Sequence, residues 1–540
     1  MSQSADQIKI GTADVISDVL DKCRLWQLRA ILIIFLTKIP TAFFMAAIIY
    51  SAPVPQRVRV YCREGSEGNV TTILHPAVAD VNDQEFELSL CDTYKDVKEH
   101  AWMYFGHYLF QMPWMEPTNE TNAEETVLPC DIFDFKSGNP VTSYDVVCSR
   151  GALVVLTQGM HLVGILLSGV VARYSMKIMS PKTVLRLAML LQISCGLIAG
   201  VVESLIVHLV FRALAAIGCA AAFTAGFVIV SDITTGKWQK GSQIFFDLFW
   251  SIGIVILSFI TQYEARWTQL YMIISPPTFV ILILTIWVPE SPRWLLQRGH
   301  IDEVKEILLN ASNFISSTAV IPVTLKAQLQ LQANSIVNCK PASWFELWRT
   351  STMEQIRIFC IHVAFACFTI MYFGMVLNMP NYGRHFLSYN ALLIAASEVI
   401  GCFIGYVLAT TCSVKFFSSG LINLLGAGIA LQMWHWRDVE SEFYRDGTLL
   451  YFCLVLKASV SCSFGVLVSC STDLVTQRKK QILMFSCLLC GRIWLLNAPV
   501  MVSIGNFYGE FLSLTLFSIT GIIGGLAMIL VQMTLNVKTN

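Results

Sequence analysis

The chain of 540 residues has little charge: Asp, Glu, Lys and Arg make up 14% of it, against 55% hydrophobic residues and a mean hydropathy of +0.60. A soluble protein carries roughly 25% charged residues. The deficit excludes a water-solvated globule and fits a chain dissolved in lipid, where charges are expensive. Neither sign is in excess, with 37 basic and 37 acidic side chains, so no nucleic-acid partner is expected. The sequence has no G-x-x-x-x-G-K-S/T loop, which excludes an ATP-driven pump, and no H-E-x-x-H or G-x-S-x-G motif. No metal, cofactor or catalytic centre is therefore expected, and the chain does not read as an enzyme. The polar start, Met1 to Arg24, does not read as a cleavable signal peptide.

What the chain has is long apolar runs. A spanning helix needs about 20 mostly apolar residues. Windows of that kind fall at 30–52, 152–172, 182–202, 206–231, 243–263 and 268–288, then at 356–378, 387–410, 416–436, 448–472, 482–504 and 509–533. The first is interrupted by Lys38 and Pro40, and the tenth carries Lys457. The expectation is an all-α membrane protein with twelve transmembrane helices in two six-helix halves, 30–288 and 356–533. A cytosolic N-terminus (1–29), central loop (289–355) and tail (534–540) flank them.

The orientation comes from basic residues in short loops. Arg173, Lys177, Lys182, Lys237, Lys240, Lys415, Arg478, Lys479 and Lys480 follow spans 2, 4, 8 and 10, whereas the opposite loops are poorer in them. Both termini then face the cytosol and the segment 53–150 lies outside. That segment carries the glycosylation sequons at Asn69 and Asn119 and the clustered Cys62, Cys91, Cys130 and Cys148. Four cysteines allow three disulfide connectivities, in the compartment where disulfides persist.

The run "FVILILTIWV" stops on "PESPRWLLQRG" (Pro289 to Gly299). Pro289 and Pro292 cannot continue the helix; Glu290 and Arg293 can pair with each other or with neighbouring helix ends, and Trp294 suits the interface. Together with the long first loop ending "CDIFDFKSGNPVTSYDVVC", with "FRALAAIG" (Phe211 to Gly218), "YFGMVLN" (Tyr372 to Asn378), "TDLVTQRKK" (Thr472 to Lys480) and "RIWLLNAP" (Arg492 to Pro499), the string resembles the major facilitator superfamily. The branch it resembles is the organic cation/anion/carnitine transporters, solute carrier family 22.

The resemblance implies disulfides Cys62–Cys130 and Cys91–Cys148, and a plasma-membrane location. It also implies a cytosolic charge network that latches one conformation, mapped here onto Arg173, Lys177, Arg212, Asp232, Glu290, Arg293, Asp473 and Arg478. The family's loop after span 2 reads G-x-x-x-D-R-x-G-R-R, whereas this chain reads "GVVARYSMK", with Ala172 at the Asp position. Loss of that carboxylate should weaken the latch by a few kcal/mol at most and shift the conformational balance.

Ionisable residues deep in spans must be paired or line a watery cavity. Lys38, Asp247, Glu398, Lys457 and Arg492 qualify, with Arg212, Glu203, His161 and His362 less central. Arg492 is the leading substrate contact: the resembled family usually has Asp there in cation transporters and Arg in anion transporters, and a guanidinium fork matches a carboxylate or sulfate. The structural alternative is that Asp247 or Glu398 satisfies it across the bundle. Tyr372 and Phe373 occupy the family's paired-aromatic position. Phe464 shares a helical face with Lys457, as Trp250 does with Asp247, and flat side chains can sandwich a ring-bearing cargo.

The expected function is secondary or facilitative transport of an amphipathic organic ion by alternating access, anions favoured. A coupling ion or counter-substrate is compatible with this. The alternatives are a cation or carnitine-like zwitterion read by Asp247 or Glu398, and a transport-poor receptor or scaffold.

Overall fold

The computed structural model describes residues 14–51, 59–63, 70–71, 132–134, 152–202, 204–261, 267–314, 324–338, 343–382, 387–436 and 442–536. Among them, twelve helices are long and apolar enough to cross a bilayer: Arg24–Ala47, Gly159–Ile178, Pro181–Val201, Ile206–Ile233, Gly236–Ile260 and Gln269–Trp287 (spans 1–6), then Thr352–Leu377, Leu387–Thr411, Lys415–Trp436, Tyr444–Leu474, Arg478–Gly505 and Phe511–Leu535 (spans 7–12). Span 1 begins at Arg24 rather than 30 and span 7 at Thr352 rather than 356. The extra turns carry Arg24, Arg29 and Glu354, charged residues that a hydropathy window excludes. The long first loop departs from the all-α expectation with three short antiparallel strands, β1 (Arg59–Arg63), β2 (Val70–Thr71) and β3 (Ile132–Asp134), in the order β2-β1-β3. Asn69, Asn119, Cys91, Cys130, Cys148, Glu203 and the Cys62 side chain lie outside the described residues.

Three spans are broken near their middles, two of them where proline requires it. Pro40 removes a donor and its ring clashes with the carbonyl four residues back, so the helix Arg24–Leu36 ends and a second, Lys38–Ser51, begins. The Thr37 hydroxyl bonds back to the Ile34 carbonyl at 2.6 Å. Pro499 acts in the same way in span 11, where one helix closes at Leu495 and the next opens at Ala498. Span 5 passes through a 3₁₀ turn at Phe245–Asp247. Lys38, Asp247 and Arg492 thus stand at, or one turn from, helix breaks.

The two halves repeat a packing motif. In spans 2 and 4, a Cβ on Gly164 would lie 2.2 Å from the Ala213 carbonyl and 2.8 Å from the Ala216 Cβ. In spans 8 and 10, a Cβ on Gly401 would lie 2.3 Å from the Ala458 carbonyl and 2.8 Å from the Ser461 Cβ. Small residues let the backbones touch, and association within lipid depends on such packing. The equivalence sets Gly164 against Gly401 and Ala213 against Ala458, so one helical register relates the halves.

The halves meet along two seams. Span 5 runs beside span 8: Ser388 donates to the Ser258 carbonyl at 2.9 Å, and Phe245 stacks edge-on with Phe403 at 5.3 Å. Span 2 meets span 11, where the Arg173 guanidinium lies 4.3 Å from the Phe485 ring centre. At the central-loop end, Lys240 of span 5 pairs with Asp473 at the end of span 10 at 3.3 Å.

The element "PESPRWLLQRG" ties the first half together at that end. Ser291 caps the short helix Pro292–Gln297, with proline at its favoured first position, and also donates to Asp232 at the end of span 4. The Trp294 indole N–H donates to the Met176 carbonyl of span 2 at 2.9 Å. Gly299, at φ +80°, supplies the left-handed turn that ends the helix. Arg293 does not pair with Glu290. It reaches Asp14 at 3.0 Å and the Ser17 hydroxyl at 2.9 Å, on a helix Val15–Leu20 that precedes the first span. Burial pushes the Asp14 carboxyl up, but Arg293 and hydrogen bonds from Ser17 and Gln332 outweigh it and hold it below its ordinary value.

Gly401→Val should lower the stability of the purified protein by about 1–3 kcal/mol through overpacking, read as a fall in melting temperature. An unchanged melting temperature would contradict the close approach of spans 8 and 10.

Candidate functional site

Among the described residues, three groups of buried charge lie near the seams between the halves. The first is built on Glu398 of span 8. Its Oε1 accepts from the Tyr372 hydroxyl at 2.5 Å, and its Oε2 accepts from Ser251 at 2.6 Å and lies 3.1 Å from Lys457 Nζ. Both charged side chains have no exposed surface. Lys457 also donates to the Tyr372 carbonyl at 3.3 Å and stands 3.4 Å from that ring's centre. Aromatic side chains surround the pair. Tyr372 packs 5.9 Å from Phe464, 5.7 Å from Trp250 and 5.2 Å from Phe373. Ser251 and Trp250 come from span 5, so the cluster straddles the halves.

The second cluster is Lys38 with Asp247, 2.6 Å apart. The ammonium stands 3.4 Å from the Phe223 ring centre and 4.3 Å from that of Phe246, a cation–π arrangement that offsets part of its desolvation. Asp247 keeps 28% of its side chain exposed, whereas Lys38 keeps 4%.

The third is Arg492, buried in span 11 with 8% exposure. Its Nη1 donates to the Ser168 hydroxyl of span 2 at 3.1 Å, and its Nη2 to the Thr224 hydroxyl of span 4 at 2.9 Å. A Cβ on Gly169 would lie 2.9 Å from Nη1, so any other residue there would push the guanidinium aside. The alternative of Arg492 satisfied by Asp247 or Glu398 does not hold, because each of those carboxylates already has a lysine.

Of the residues expected at the site, Tyr372, Phe373, Phe464, Trp250, Lys457 and Glu398 come together, Asp247 lies in the neighbouring pair, and Arg492 stands apart on the span 2–span 11 seam. Ser168, Thr224 and Ser251 were not expected. Hydroxyls in apolar helices usually bond back to their own helix, as Ser168 and Thr224 also do, at 2.8 Å each; nothing in the sequence distinguishes those that also reach across.

The expected latch is only partly built from charge. Asp473 joins the halves through Lys240, Asp232 accepts from Ser291, and Arg478 lies 3.9 Å from Glu346. Arg173 and Lys177 rest on the rings of Phe485 and Tyr174 instead of on acids. Ala172 is fully buried in the apolar core of the first half, so the carboxylate-bearing corner has become hydrocarbon. Arg212 lies in the interior, donating to the Tyr271 hydroxyl at 2.7 Å, and takes no part in the latch.

Comparison with known proteins agrees with this architecture. The family model described as sugar (and other) transporter matches residues 117–382. Rat solute carrier family 22 member 7 is 26% identical over 327 residues, 58% of this chain and 58% of that one. Rat organic cation/carnitine transporter 2 is 25% identical over 342 residues, 62% and 58%. The chain thus spans a little under three-fifths of the length of these two relatives. Rat organic anion transporter 3 is 23% identical over 427 residues, 78% of this chain and 77% of that one. The chain is similar to members of solute carrier family 22 at about a quarter of positions. The fold is similar to that of the E. coli xylose transporter XylE, which in a partially occluded inward-open form superposes with a TM-score of 0.58 at 12% identity, covering 93% of this chain and 96% of that one.

Glu398→Gln leaves Lys457 buried without a counter-charge and should cost about 3–5 kcal/mol. Tyr372→Phe removes one charge-assisted hydrogen bond and should cost about 1.5–3 kcal/mol. Replacing the pair together, Glu398→Leu with Lys457→Met, should recover most of the loss. Melting of purified protein gives the order; equal effects of the two single changes would contradict the pairing.

Proposed function

We propose that the protein moves an amphipathic organic anion across the membrane, the two halves rocking about the seams to expose a central site to each side in turn. One observation carries the reading. Arg492 is a buried guanidinium at the inter-half seam, and its hydrogen bonds go to hydroxyls of the opposite half with no carboxylate among them. A guanidinium stays protonated, and a charge in a low-dielectric interior calls for an opposite one. Ser168 and Thr224 can turn their hydroxyl protons towards an incoming carboxylate while Arg492 swings onto it. The rings of Tyr372, Phe373, Phe464 and Trp250 offer the apolar part of the cargo a flat surface.

The relatives bear names of both anion and cation transporters, so the sign rests on Arg492. The proposed domain plan keeps six-helix halves at 30–288 and 356–533, joined by a cytosolic central loop, in the plasma membrane. Digestion with a peptide N-glycosidase should lower the apparent mass of the wild type and leave an Asn69→Gln/Asn119→Gln protein unchanged; a wild type resistant to digestion would count against an outward long loop.

Cellular uptake of labelled aryl carboxylates and aryl amines tests the function. Arg492→Ala should lower carboxylate kcat/KM by roughly 30-fold or more, the effect of stripping one partner from a desolvated charge pair. Arg492→Lys should keep part of the activity, because the charge remains without its planar fork. Amine uptake indifferent to both changes would establish the cation reading, and no uptake by surface-expressed protein would favour a receptor or scaffold.

A further inference from the structure

The packing motif shared by the halves equates residues as well as helices. Glu398 lies three residues before Gly401, and His161 lies three before Gly164. Lys457 directly precedes Ala458, and Arg212 directly precedes Ala213. In the second half the span-8 carboxylate neutralises the span-10 ammonium at 3.1 Å. In the first half the same two places hold an imidazole and a guanidinium.

Among the described residues of the first half, no carboxylate pairs with Arg212. Residues 24–51, 152–202, 204–233 and 267–287, which make up spans 1, 2, 3, 4 and 6, contain one acidic side chain, Asp232. It lies at the far end of span 4, twenty residues from Arg212 or about 30 Å along the helix. Arg212 is 2% exposed and His161 3%. Arg212 gives one hydrogen bond, to Tyr271, while its Nε and Nη2 and both ring nitrogens of His161 are buried without a partner. His208, one turn from Arg212, sets its Nδ1 against the Ala199 carbonyl at 2.7 Å and packs edge-on against Tyr271 at 6.1 Å. A water molecule could accept from these donors but would leave the guanidinium charge uncompensated in hydrocarbon.

We infer that Arg212 and His161 bind a small inorganic anion, which occupies in the first half the place that the Glu398 carboxylate occupies in the second. Chloride has the charge and the size: the anion has to fit where the backbones of spans 2 and 4 are in contact, and it needs only N–H donors around it. The site is separate from Arg492. Along span 4, Thr224 is twelve residues beyond Arg212, about 18 Å. The bound anion would be a fixed part of the folded half, so stability should depend on chloride whether or not the central site carries organic anions.

The test is equilibrium binding of radiolabelled chloride to the purified full-length protein, with melting temperatures measured in chloride and in isethionate at equal ionic strength. The wild type should bind one chloride saturably and melt higher in chloride. Arg492→Gln should keep this behaviour. His161→Glu, which installs the carboxylate of the other half, should weaken chloride binding roughly tenfold or more and raise the melting temperature in isethionate. His161→Leu, lacking a donor and adding no charge, should weaken binding without that gain. Absence of saturable binding in the wild type, loss of it in Arg492→Gln, or unchanged affinity in both His161 variants would overturn the inference. So would chloride binding that appears only in Glu203→Gln, since Arg212 would then already have a carboxylate of its own.

Discussion

A charge inside hydrocarbon has to meet its opposite or water, and the interior of this protein is organised around that requirement. Among the described residues five cations are buried in the spans: Arg357, in the second turn of span 7, donates to Thr534, and the other four are Lys38, Arg212, Lys457 and Arg492. Two carboxylates lie there with them, and each is taken by a lysine, Asp247 by Lys38 and Glu398 by Lys457. Arg212 and Arg492 are left with hydroxyl partners, Tyr271 for one and Ser168 with Thr224 for the other. This distribution is physically sensible. A lysine can shed its proton when stranded, whereas an arginine keeps its charge. Arginine is therefore the residue that holds a standing demand for an anion.

The backbone supplies the geometry. Helix breaks at Thr37, Phe245–Asp247 and Leu496–Asn497 set Lys38, Asp247 and Arg492 near the middles of their spans. Discontinuous helices serve in the same way at the sites of membrane transporters generally. Because Glu398 accepts from Ser251 across one seam and Arg492 donates to Ser168 across the other, relative motion of the halves must remake both contacts. At the central-loop end, the chain has exchanged ion pairs for rings and methyl groups at Arg173 and Ala172, and it retains Lys240–Asp473 as a cross-seam salt bridge. Exposed pairs of this kind are worth about 0–1 kcal/mol, so contact between the halves at that end rests mainly on packing.

Much of this is legible in the sequence, and the omissions have physical causes. Apolar runs locate all twelve helices, because hydrocarbon solvation is a property of local composition. The interruption at Lys38 and Pro40 marks a true break, and "PESPRWLLQRG" marks a true junction. Pairing is different, because it depends on which faces of distant helices meet. Asp247 could be seen to need a partner, but the choice of Lys38 over Arg492 comes from the tertiary arrangement. The helix Val15–Leu20 went unnoticed since its stretch is short and mixed in polarity, and its apolar face is defined only by the helices Pro292–Gln297, Ile301–Asn313 and Leu325–Asn338 beneath it. The strands of the first loop are too brief to give a period-2 signal. The correspondence of His161 with Glu398 emerges only once Gly164 and Gly401 are seen in equivalent contacts.

The claim that Arg492 is the anion's partner can be tested without transport. A ligand that binds the folded state raises the melting temperature in proportion to the logarithm of its concentration above Kd. Aryl carboxylates should stabilise the purified protein, the matching aryl amines should not, and Arg492→Gln should abolish the stabilisation. Stabilisation by the amines, or by carboxylates acting equally on the Arg492→Gln protein, would contradict the account.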